Sequence, residues 1–137
     1  MNGELFSIEA EQQLLGSLLG DNAQIGKVAT FLKPDHFFDP LHAEIFGHVL
    51  RCEAEGLLAS PVTLKPIFQT HEGMAQAGGV GYLGKLVAMG ATRSALRQFG
   101  ELIVDYAARR SFNVELEAAL GCASGKYAVR RLEFGME

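Results

Sequence analysis

The pair Asp39-Pro40 constrains this chain more than any other two residues. An aspartate carboxylate accepts hydrogen bonds from the unpaired amides of a helix's first turn, which makes Asp39 an N-cap. Proline suits the first helical position, where its missing N–H costs nothing and its φ is already helical. From that start Leu41, His42, Ile45, Phe46, Val49 and Cys52 recur on one arc at helical spacing, with Ala43, Glu44, Gly47 and Arg51 opposite. The spacing predicts a helix that stops near Gly56, a residue able to take the positive φ of a helix C-terminus. Pro34 breaks the preceding helix and leaves Phe37 and Phe38 beside the new start. Phe37, Phe38, Asp39, His42, Ile45 and Phe46 are therefore the expected structural residues. His42 is expected to be a core histidine bonded to a neighbouring loop carbonyl.

Helical periods continue on both sides. Ser7 can cap a helix from Ile8 to about Leu19, with Glu9 and Glu11 in the first turn, where the helix dipole favours acids. Ile8, Leu15, Leu18 and Leu19 supply its apolar face, and Ile25, Val28, Ala29 and Leu32 mark a second helix. Ser60-Pro61 precedes a short helix over 63–71. The glycine-rich 71–81 stretch predicts a loop, and 82–89 a helix ended by Gly90. The last and longest helix opens at Thr92 or Ser94 and covers 94–119. Ala95, Leu96, Phe99, Leu102, Ile103, Tyr106, Ala107 and Val114 share one of its faces. Arg97 with Glu101, and Asp105 with Arg109, form i,i+4 ion pairs on the other side. No run alternates at period two, so the expectation is an all-α chain of about six helices. Residues 1–120 are expected to form one domain, and 121–137 a linker or tail.

Charge and composition exclude several classes. Twelve basic against sixteen acidic residues give a net charge of −4. A strong nucleic-acid binder needs a basic footprint for its phosphate contacts, so little direct nucleic-acid binding is expected. The same balance, with no basic recognition helix, disfavours a helix-turn-helix transcription factor. With 48% hydrophobic and 20% charged residues the chain is globular. No apolar run approaches a membrane span, no signal peptide is visible, and Cys52 and Cys122 have no metal-ligand spacing. A cytoplasmic protein with two reduced thiols is expected.

Catalytic constellations are weak. The stretch Gly121-Cys122-Ala123-Ser124-Gly125-Lys126 has three residues between its glycines where a phosphate loop needs four, and Tyr127 follows where Ser or Thr would hold Mg²⁺. His36, Asp39 and His42 could serve a small helical metal-dependent hydrolase, yet Asp39 already caps a helix and a closed site wants four ligands. No nucleophile, base and oxyanion donors converge, so no catalytic residue and no cofactor are assigned. Arg110 is unusual in lying on the apolar stripe of the last helix. Either its stem covers the core edge while its guanidinium reaches water, or it meets a carboxylate of a second copy.

Several motifs, in order, carry a resemblance. Leu32, Pro34, Asp35, an aromatic at Phe37, Asp39, His42 and Ile45-Phe46 form the first. Ile8-Glu9-Ala10-Glu11-Gln12 with Leu15-Gly16 and Leu18-Leu19, and Pro61 with Val62-Thr63-Leu64, are others. Gly78-Gly79 with Tyr82-Leu83 and Leu86, then Ile103-Val104, Ala107 and Arg110, complete the set. Over roughly residues 5–118 the chain resembles the N-terminal domain of DnaB-type bacterial replicative DNA helicases. The resemblance implies a non-catalytic, all-α bundle whose last two helices form an antiparallel hairpin. In that family hairpins pair between subunits, and the paired domains build a collar where the primase's C-terminal domain docks and helicase loaders engage nearby. Carried over, it implies a homo-oligomer, a dimer or trimer of dimers. Its self-association residues would be Tyr82, Leu86, Phe99, Leu102, Ile103, Tyr106, Arg110 and Val114. The ATPase motor that follows in the family is not matched here, so no enzymatic activity is expected.

Overall fold

Ser7 starts the first helix as its side chain dictates: the Oγ accepts the Ala10 N–H at 3.2 Å, and α1 runs Ile8–Gly20. Chain order then gives a 3-10 turn at Asn22–Gln24, α2 (Ile25–Ala29), a second 3-10 turn at Pro34–His36, and α3 (Pro40–Glu55). After these come α4 (Pro61–Phe68), α5 (Glu72–Gln76), α6 (Gly81–Ala88) and α7 (Arg93–Gly125). The computed structural model describes residues 5–125, and among these it contains seven α-helices and no strand. The all-α expectation holds.

Helix α1 is the axis: α3, α6 and α7 all pack on it. Its most extensive packing is against α6, and one missing methyl group permits it. A Cβ at Gly16 would lie 1.7 Å from the Leu86 carbonyl oxygen, so only glycine lets the two backbones meet. Flanking bonds fix the register: Ser17 Oγ donates to the Ala91 carbonyl at 2.7 Å, and the Ala91 N–H to the Gln13 carbonyl at 3.2 Å. Although α6 and α7 are joined by a short turn, the main packing partner of both is α1. The core between them is aliphatic, with Leu14, Leu15, Leu18, Leu83, Leu86 and Leu96 fully buried.

Local rules account for α3 closely. Asp39 Oδ1 accepts the Leu41 N–H at 2.8 Å, Pro40 opens the helix, and Gly56 closes it at φ 72°. Its buried residues are Leu41, His42, Ile45, Phe46 and Val49, which is the arc read from the sequence less Cys52. Three elements differ from expectation. Helix α4 begins earlier, at Pro61, because Ser60 and Thr63 form a reciprocal capping box. The stretch expected as a loop contains α5, capped by the His71 ring, whose Nδ1 accepts the Met74 N–H at 3.2 Å, and anchored by buried Met74. Helix α7 passes through 121–125, where the sequence suggests a linker, because a nucleated helix propagates at little cost per residue. Residues 126–137 of the expected tail lie outside the described residues.

Candidate interaction surface and the buried relay beneath it

A polar chain crosses the core and ties four elements together. Glu11 of α1 is 1% exposed; its Oε2 accepts the Phe38 N–H at 2.6 Å and its Oε1 the Asp39 N–H at 3.3 Å. The same Oε1 lies 2.8 Å from Nδ1 of His42, an imidazole with no exposed surface. His42 Nε2 is 2.7 Å from the Tyr82 hydroxyl, which also accepts from Gln12 Nε2 at 3.1 Å. One hydrogen assignment gives every hydrogen an acceptor: Nδ1–H to the carboxylate, the tyrosine O–H to Nε2, and the glutamine amide to the tyrosine oxygen. Burial, ahead of all other causes, holds the Tyr82 hydroxyl above its ordinary pKa of 10.0.

Acid, imidazole and hydroxyl stand here in the connectivity of a nucleophilic triad. Both ends, however, are already engaged. The carboxylate receives two backbone amides from the turn that caps α3, and the hydroxyl is held from α1 by Gln12. The relay is a fastener between α1, the α3 entry turn, α3 and α6. His42 is thus a core histidine, but its partners are Glu11 and Tyr82 rather than a loop carbonyl. Glu11 shares an arc with Leu14, Leu15 and Leu18, where a carboxylate without a partner would be costly.

His36, Asp39 and His42 are not brought together as ligands. His36 Nδ1 accepts the Lys33 N–H at 3.0 Å, Asp39 caps α3, and both ring nitrogens of His42 are bonded. Among the described residues no three His, Cys, Asp or Glu side chains are placed to hold a metal ion.

Arg110 takes a third arrangement, neither free in water nor facing a carboxylate. Its Nη1 donates to the Leu5 carbonyl and its Nη2 to the His36 carbonyl, both at 2.8 Å, with the guanidinium 5.4 Å from the Phe38 ring centroid. Phe38 in turn stacks on Phe6, ring centroids 4.0 Å apart and 10° from parallel.

The other residues expected at a self-association surface divide in two. Leu86 and Ile103, at 0% and 2% exposure, are committed to the core of the chain itself, and Tyr82 to the relay. Phe99, Leu102 and Tyr106 are half-buried on α7, and Val114 is open. Beyond Arg110 the helix carries Phe112, Val114 and Leu116 at 62%, 65% and 45% exposure. Phe112 and Leu116, four residues apart, share one face, while Val114 lies nearly opposite. The ion pairs Arg97 with Glu101 (2.9 Å) and Arg109 with Asp105 (2.7 Å) form on the solvent side as expected. No helix among the described residues is long and apolar enough to cross a membrane.

The same overall fold occurs in a solved domain. The crystal structure of the N-terminal domain of DnaB helicase from Mycobacterium tuberculosis superposes with a TM-score of 0.77 at 22% identity, covering 86% of each chain. Residues 3–105 match the family model described as the DnaB-like helicase N terminal domain, and the chain belongs to that family. The replicative DNA helicase DnaB of Rickettsia prowazekii (strain Madrid E) is 32% identical over 128 residues, 93% of this chain and 26% of the relative. That of Geobacillus stearothermophilus is 30% identical over 97 residues, 71% of this chain and 21% of the relative. The chain spans between a fifth and about a quarter of the length of these curated relatives.

Proposed function

We propose that this chain is the non-catalytic interaction domain of a replicative DNA helicase. Copies pair through α7 and the surface beside α6, build a collar, and offer it to a primase or a helicase loader in the cytoplasm. The observation that carries this reading is the far part of α7. Past Arg110 the helix leaves the core yet keeps Phe112, Val114 and Leu116 in the open, an apolar display that marks interaction surfaces. Family membership supports the setting, since the relatives are replicative helicases. A net charge of −4 fits contact with proteins better than with phosphates. In this reading residues 1–120 are the working unit, 121–137 a connection, and ATP-driven unwinding belongs to a motor domain outside the matched region.

Light scattering at tens of micromolar decides the first half, with a dimer or a trimer of dimers expected. Phe112→Glu with Leu116→Glu should return the chain to monomer without loss of helical content. A titration with the C-terminal domain of a primase decides the second half. A parent chain that stays monomeric and binds no such domain would overturn the reading.

A further inference from the structure

One contact that pins α7 to the bundle is unlike those before it. Up to Ile103 the helix is held by buried side chains such as Leu96 and Ile103, whereas from Ser111 onward most residues are exposed. At the boundary stands Arg110. Its two donors reach carbonyls from different parts of the chain, Leu5 before α1 and His36 in the 3-10 turn before α3. The Phe6–Phe38 stack closes over the same point, both rings being about two-fifths exposed. A planar fork with fixed donor directions imposes an angle as well as a distance, which a single apolar contact does not.

We infer that Arg110 is a positioning residue: together with the Leu5-Phe6 strap it sets the direction in which the far part of α7 leaves the bundle. The inference rests on the proposed pairing through α7 only for its biological use, since a fixed direction is what lets two arms meet in one geometry. The strap is the removable half of the device. It is attached by one hydrogen bond, from Arg110 to the Leu5 carbonyl, and one exposed ring stack, and it adds no large residue to the core.

The test measures direction itself. Spin labels are attached at Lys27→Cys on α2 and Glu115→Cys on α7, in a chain carrying Cys52→Ser and Cys122→Ser and diluted with unlabelled chain. The parent should give one narrow distance distribution. Arg110→Ala and Phe6→Ala should each at least double its width while the thermal transition stays cooperative. Arg110→Lys, able to reach one carbonyl, should fall between. If Arg110→Ala does not fold, Phe6→Ala decides, because an exposed ring can be truncated without opening the core. Unchanged widths in the folded variants would overturn the inference. Broadened widths in a protein that never self-associates would leave the clamp standing and remove the collar reading instead.

Discussion

Replacing His42 with phenylalanine keeps the ring volume and removes both nitrogens, which isolates the energetic role of the relay. Glu11 then loses its 2.8 Å partner but keeps the amides of Phe38 and Asp39, while the Tyr82 hydroxyl loses its acceptor. Leaving a buried carboxylate one hydrogen-bond donor short costs about 1–3 kcal/mol, toward the upper end for a charged acceptor. The two remaining amide donors keep this case to about 2 kcal/mol. Tyr82→Phe deletes only the terminal hydroxyl of a half-buried side chain and should cost about 1 kcal/mol. Exchanging both ends, Glu11→Leu with His42→Phe, removes the stranded charge along with its partner. The double variant should therefore be less destabilised than the sum of the single ones by about 1–3 kcal/mol. Urea unfolding followed by circular dichroism gives all these values on one m-value scale. A cost below about 1 kcal/mol for His42→Phe, or strict additivity in the cycle, would refute the relay as a fastener.

Two further outcomes follow from the geometry. Gly16→Ala drives a methyl group into the Leu86 carbonyl, where backbone cannot step aside, and should cost about 3 kcal/mol. Gly100→Ala, whose nearest neighbour is the end of the Phe31 ring at 3.0 Å, should cost less than about 1 kcal/mol in the same unfolding assay; equal costs would refute the notch. The His36 and His48 imidazoles lie below 6.5, in each case chiefly through burial and next through a nearby cation, Lys33 and Arg51 respectively. Their unfolded forms take up protons first as the pH falls, so this share of stability is present above pH 6.5 and lost as the pH drops through the lower folded values. His36→Asn with His48→Asn should flatten the stability slope as the pH falls below 6.5; an unchanged slope would assign the effect elsewhere.

What the sequence made legible was local. Asp39, Pro40 and Gly56 announce α3 because caps act over a few residues, and the arc from Leu41 to Val49 follows from one helical period. The α7 ion pairs were readable for the same reason. At Glu11 two roles coincide: it is a first-turn acid, as its position implies, and it lies on the apolar face of α1. Its partner is 31 residues away, and no local rule points to it. His71 as a cap was missed since imidazole is an uncommon cap acceptor, and α5 with it. Arg110 was recognised as out of place on an apolar stripe, but its Leu5 acceptor is a backbone carbonyl 105 positions earlier, which carries no side-chain signature. The candidate surface was legible in outline, as a long helix with surplus apolar residues. Which of those residues the core claims depended on how α1, α6 and α7 converge.

Because α7 is one unbroken helix of 33 residues, it behaves mechanically as a lever about 50 Å long. Its fulcrum is Arg110, and the stretch from there to Gly125 measures about 22 Å. A tilt of about 10° at that pivot would carry the tip sideways by about 4 Å, comparable to the offset between neighbouring strands of a sheet. Angular tolerance at a single guanidinium is thereby magnified at the far end of the molecule.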